Sequence, residues 1–226
     1  MRKNLTQDEI DKMKIGPDDT FQFSCKQCGK CCINRKDILL NAQDIFRLCK
    51  ELQIKPEELI EIYGESYIGD DSRLPIVRLL PRGPIERCRF LENRKCSVHK
   101  AKPTVCAIFP LGRFIVKPDR DDAKIEYFFT HPDCNDGGET HTVQKWLDEF
   151  GIPMDDPFYK AWGKIFLQAG VCVRKAEKKL PEVVMQSLWN AIYMLLYLNY
   201  DIDKEFLPQF QRNMNNLLEM LQREIP

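Results

Sequence analysis

The sequence predicts an α+β fold, with a cysteine-rich part carrying short strands and a β-hairpin, followed by a C-terminal helical part. Three observations predict it. The apolar runs GRFIVK and KIEYFFTH flank the polar PDRDDA, the pattern of a hairpin. Residues 156–224 repeat Leu, Met, Trp and Phe at helical spacing. Eight of the ten cysteines sit in turn-like stretches rich in Gly, Pro, Asn and basic residues.

The elements follow in chain order. Residues 1–20 read as a lead-in with a short helix around Asp8 to Met13. The first cysteine cluster comes next. Asn41 precedes AQDIFRLCKEL, with Asp44 in the first turn, which is a capped helix start. Pro56 after Lys55 opens a second short helix from its first position. Residues 69–87 read as loop with a strand in LPIVRLL. Cys88 to Pro110 is dense in turn residues and holds three cysteines. The hairpin follows, and then helical spacing from His141 to Phe150. Three more helices are expected over 156–176, 181–199 and 203–224. The expected organisation is a cysteine-rich domain over 20–150 and a helical extension over 151–226 packed on it.

Composition narrows the class. The chain has 226 residues, with 43% hydrophobic and 30% charged, ordinary for a globular protein with a real core. Formal net charge is zero, so no global field draws it to nucleic acid or an acidic membrane. Its first residues, MRKNLTQDEIDKMK, lack the apolar run of a secretory signal. The longest apolar stretch, Val183 to Tyr200, is broken by Gln186, Ser187, Asn190 and Asn199, so it reads as a core helix and not a membrane span. The expected location is cytoplasmic, where clustered thiols bind metal or do redox work more often than they form stable disulfides.

The ten cysteines divide by context. Cys49 lies with Ala42, Ile45, Leu48 and Leu52 at helical spacing, and Cys172 lies likewise with Trp162, Ile165, Phe166 and Ala169. Both read as small apolar core residues. Cys25, Cys28, Cys31, Cys32, Cys88, Cys96, Cys106 and Cys134 remain, outside any amphipathic stripe, and these are the expected metal ligands. In a C-x-x-C turn two sulfurs can face one centre, and Gly29 permits the tight backbone this needs. Such turns serve zinc and iron alike. The adjacent pair Cys31–Cys32 is less usual. In an extended segment its side chains would point to opposite sides, so one of the pair would serve a second centre or link the two halves of the set. Charge supports bound thiolates: residues 25–36 carry four basic side chains and no acid, and residues 85–106 carry six against Glu86 and Glu92. Basic neighbours lower thiol pKa and offset the negative charge of a thiolate centre. The competing reading is a solvated surface.

CKQCGKCC, then CRFLENRKCSVHKAKPTVCAIFP, then PDCNDGG, resembles the YkgJ-like cysteine-cluster family, a zinc- or iron-chelating domain. The family's motif cysteines fall on the same eight positions, over about residues 20–150. Lys102 stands where the family usually has Arg, which keeps the charge and loses the planar fork. His99 stands where Tyr is frequent and creates Cys96-x-x-His99, a ligand-like pair. The resemblance implies a metal-binding protein carrying an iron–sulfur cluster or zinc, with a redox or assembly role and a protein partner or substrate it does not name. A longer related branch is associated with N-methylation of flagellin lysines, which implies protein-lysine methyltransferase as the alternative.

The residues weigh against that alternative. None of the eleven glycines forms a G-x-G, and the radical-type C-x3-C-x2-C spacing is absent. A thiol–disulfide oxidoreductase would need a βαβ frame, and none precedes Cys25. His131 lies near enough to Cys134 to approach a metal, though a strand end suits it better. Trp146, Trp162 and Trp189 read as core, and Tyr127-Phe128-Phe129 as a half-buried strand.

Overall fold

The computed structural model describes residues 6–26, 28–132 and 137–224. In chain order these begin with α1 (Gln7–Lys12), β1 (Lys14–Ile15), β2 (Thr20–Gln22), β3 (Leu39–Leu40), α2 (Ala42–Leu52) and α3 (Pro56–Tyr63). There follow β4 (Gly64–Ile68), β5 (Pro75–Leu79), β6 (Leu91–Glu92), β7 (Lys95–Cys96), α4 (Thr104–Ala107), β8 (Leu111–Val116) and β9 (Lys124–Phe129). The chain ends with β10 (Thr140–Thr142), α5 (Val143–Asp148), α6 (Pro157–Ala176), α7 (Glu182–Tyr193) and α8 (Phe206–Glu224). Short 3₁₀ turns occupy Lys30–Cys32 and His99–Ala101, and α7 runs on into a π-helical turn at Met194–Leu198. The α+β expectation holds. Among the described residues no helix is long and apolar enough to cross a membrane.

The chain forms two compact units, each built from two stretches: Met1–Lys30 with Thr104–Gly163, and Cys31–Pro103 with Lys164–Pro226. In the first, β8 and β9 form the expected antiparallel hairpin and β1 extends it in the order β1-β9-β8. Gly112 lies opposite Phe128, whose ring covers it: a Cβ there would sit 2.1 Å from Phe128 Cζ. Strands β2 and β10 pair separately. His141 therefore lies in a strand and not in the helix its spacing suggests, because Thr142 caps α5 by accepting from Lys145 N–H. The core gathers Phe21, Phe23, Ile108, Leu111, Tyr127 and Trp146, and the indole of Trp146 donates to Ile108 O at 3.0 Å. Asp156 accepts from Tyr159 N–H at the start of α6 and pairs with Arg113 at 3.0 Å, whose guanidinium lies 3.9 Å over the Tyr159 ring. A buried cation is thus matched by a charge, a helix start and an aromatic face.

In the second unit β5 is the central strand of β3-β5-β4 and alternates buried Pro75, Val77 and Leu79 with half-buried neighbours. Helix α2 starts as expected: Asn41 accepts from Asp44 N–H, and Asp44 accepts from Asn41 N–H, a capping box. Gln53 closes the helix in the left-handed conformation, with φ 55°. Its buried face is Ala42, Ile45, Phe46, Leu48 and Cys49. Helix α8 buries Phe206, Phe210, Met214, Leu217 and Leu221, a single stripe, and the ring of Phe206 meets that of Phe46 at a tilt, with centroids 5.2 Å apart. The hydroxyl of Tyr197, buried in the turn after α7, donates to Pro75 O at 3.1 Å. Arg73 pairs with Glu177 through two nitrogens, and Trp189 donates to Arg73 O. The C-terminal helices thus pack on α2 and β5.

Cys49 is wholly buried, as its stripe predicts. Cys172 is only half-buried: the inner stripe of α6 is Ile165, Ala169, Val173 and Ala176, and Cys172 flanks it.

Candidate metal centre

Cys31, Cys32, Cys88 and Cys96 all belong to the second unit. Cys31 and Cys32 end the 3₁₀ turn Lys30–Cys32. Gly29 just before it takes φ 74°, the left-handed region that glycine enters without penalty. Because the segment is a turn and not extended, the adjacent side chains do not diverge: the two Sγ atoms lie 3.8 Å apart. The expectation that they face opposite sides is corrected by this local winding.

Backbone pairing brings the second cysteine segment alongside. Cys88 N–H donates to Cys32 O at 2.8 Å, and Asn34 N–H donates to Ile85 O at 3.2 Å. Arg82 and Arg87 exchange backbone hydrogen bonds just upstream, with Gly83 at φ 72° and Glu86 at φ 46° making the tight turn. Beyond Cys88, β6 and β7 form a hairpin whose two loop residues, Asn93 and Arg94, both have positive φ, as a type I′ turn requires. Its register sets Cys96 opposite Leu91.

The backbone also faces these sulfurs. The N–H of Phe90 serves Cys88 and that of Val98 serves Cys96, each two residues after its cysteine. Burial pushes both thiols up, and these N–H groups oppose it. Arg35 and Arg82 act in the same sense on Cys88, and Lys102 on Cys96. A charge on Cys31 raises both thiols further, so the three groups sense one another. Cys31 itself is held down at about 6, first by the Cys32 thiol beside it and then, against burial, by Arg35 and Lys102.

Arg35 is the buried member of the basic run 25–36, with Lys26, Lys30 and Lys36 exposed. Its Nη1 donates to Cys31 O at 3.0 Å and its Nε to Asp37 Oδ1 at 2.5 Å. Sequence reading counts Arg35 only as one charge among four. Its burial has no local signal, because it follows from the pairing of residues 32–34 with 85–88. Arg47 on α2 donates to Asp44 Oδ1 at 2.7 Å and to Lys102 O at 3.3 Å, so the helix holds the segment that carries Lys102.

Of the other expected ligands, Cys25, Cys28 and Cys106 lie in the first unit. Cys25 and Cys28 are exposed, and Cys106 is half-buried in α4. Cys134 lies outside the described residues. His99 is exposed, in the 3₁₀ turn after Cys96. His131 follows β9 with φ 45° and meets Phe129 edge-on at 4.5 Å, and the Nε2 of His141 donates to Phe23 O. Among the described residues no three His, Cys, Asp or Glu side chains converge on one metal position.

The donor set nevertheless fits a thiophilic metal. Zinc–sulfur bonds of about 2.3 Å in a tetrahedron put neighbouring sulfurs about 3.8 Å apart. The Cys31–Cys32 separation of 3.8 Å has that length. Thiolates select zinc and iron over hard cations such as calcium and magnesium.

Residues 24–134 match the CxxCxxCC family, described as "putative zinc- or iron-chelating domain". No curated protein and no solved structure matches the chain.

Proposed function

Residues 24–134 of this chain are a CxxCxxCC domain, and on that premise we propose that the protein binds zinc or iron through its motif cysteines, as ions or as an iron–sulfur cluster. The observation that carries the reading is the Cys31–Cys32 pair, 3.8 Å apart, with Cys88 pinned to it by backbone pairing and Arg35 buried against it. A buried cation beside clustered thiols is poor design for an inert core and suits a centre of bound thiolates. Backbone N–H groups aimed at Cys88 and Cys96 stabilise sulfur in its anionic form, the form that binds metal.

When bound, the metal would supply cross-links between segments far apart in sequence and, as an iron–sulfur cluster, one-electron chemistry. The chain's own groups supply the electrostatics. Arg35 and Lys102 offset thiolate charge, and Arg47 holds the Lys102 segment to α2. No arrangement among the described residues favours the lysine methyltransferase alternative. The test is purification without oxygen, followed by zinc, iron and acid-labile sulfide analysis with a visible spectrum. Iron with sulfide and a broad charge-transfer band assigns a cluster. Zinc in a colourless solution assigns a structural ion. Folded, reduced protein with neither metal, before and after reconstitution, refutes the reading.

A further inference from the structure

We propose that Cys31, Cys32, Cys88 and Cys96 form a complete four-thiolate site by themselves, without Cys25, Cys28 or Cys106. The proposal rests on the metal-binding reading above and deepens it, because neither the motif nor the family description divides the cysteines between centres.

The division comes from the fold. The boundary between compact units falls between Lys30 and Cys31, inside the motif CKQCGKCC. It leaves Cys25 and Cys28 with Cys106 in one unit and four motif cysteines in the other. Those four are held by backbone contacts internal to their own unit. Cys88 N–H donates to Cys32 O, Arg35 holds Cys31 O, and the β6–β7 hairpin carries Cys96 back after Cys88. All four are half-buried, whereas Cys25 and Cys28 are exposed. Four is also the coordination number of a closed structural thiolate site. Among the described residues the sulfurs do not yet share one centre, so these thiols must reorient when an ion binds.

Charge supports the same count. A divalent ion with four thiolates carries two net negative charges. Three cations of the same unit act on these thiols: Arg35, buried and also holding the half-exposed Asp37, Arg82, and Lys102. A four-sulfur centre here is close to neutral in its surroundings, which lowers the cost of holding it away from water.

The test uses the full chain, kept reduced, with cobalt(II) as the probe, because four-sulfur cobalt has an intense visible signature. The triple variant Cys25→Ser/Cys28→Ser/Cys106→Ser is expected to keep one cobalt per chain with that four-sulfur spectrum. The double variant Cys32→Ser/Cys96→Ser is expected to bind one cobalt fewer than the parent. A triple variant that folds by circular dichroism yet has lost all four-sulfur cobalt overturns the proposal. Alkylation mapping of the parent chain needs no substitution. As cobalt is added, Cys31, Cys32, Cys88 and Cys96 should gain protection together. Protection that joins Cys28 or Cys106 to some of the four and spares the rest overturns it. A parent chain that binds no cobalt, zinc or iron refutes the metal reading itself, a distinct result.

Discussion

The thiol of Cys49 sits among Ile45, Leu48 and the α2 face, and burial pushes it up to about 12, with Glu57 and Glu58 adding to the rise. A folded-state pKa above the unfolded value means the native state keeps a proton that the unfolded chain loses. The stability tied to this thiol is therefore full below about pH 9 and is lost as pH rises toward 12. Cys49→Ala should cost about 1 kcal/mol near neutrality, by the removal of one small buried group. It should also flatten the loss of stability above pH 9 relative to the parent, read by denaturant midpoints across pH. Metal content should not change. Cys172→Ala should leave it unchanged too, while Cys28→Ser or Cys106→Ser should lower metal content and soluble yield together. Equal metal loss in all four variants would undo the sorting of the cysteines. That sorting was legible for Cys49, whose neighbours Ile45, Phe46 and Leu52, at i−4, i−3 and i+3, are apolar. It was less so for Cys172, where two adjacent stripes of α6 compete and Val173 takes the inner place.

At the level of elements, local chemistry marked what it controls. Asn41 and Asp44 announced the start of α2, and both capping-box bonds are present. Asn41→Ala should lower stability by about 1 kcal/mol, measured by thermal or urea unfolding, with metal stoichiometry intact at saturation. The β8–β9 hairpin was equally legible from its alternation around a polar loop. Strand β4 was not: GESYI has little strand character, and it forms because all five residues pair with β5 from Gly64↔Leu79 to Ile68↔Pro75. His141 was misplaced for a related reason, since its pairing with Phe21 is long-range and invisible to a helical period. The Cys31–Cys32 pair shows the same limit at the site. Sequence gives the adjacency, but only the 3₁₀ winding decides whether the sulfurs part or meet.

For the whole molecule, the central issue is what eight thiols do for a chain whose motif spans 24–134 and contributes to both compact units. Metal bound at cysteines far apart in sequence closes long loops and stabilises the folded state alone. A site filled at a thousand times its dissociation constant adds about 4 kcal/mol, which for a chain of this size raises the melting temperature by on the order of 10 °C. Stripping the metal with a strong chelator under reducing conditions should lower the melting temperature by that order, and zinc or iron should restore it. The donor chemistry of this account was readable from cysteine spacing and basic neighbours. The partition of the thiols was not, because it depends on which segments fold together.

The most direct measurement is metal and acid-labile sulfide per chain in reduced, full-length protein purified without oxygen. The account predicts at least one tightly held zinc, or iron with or without sulfide, per chain that survives dialysis. Folded protein that emerges without either metal, and takes up neither on reconstitution, would contradict it.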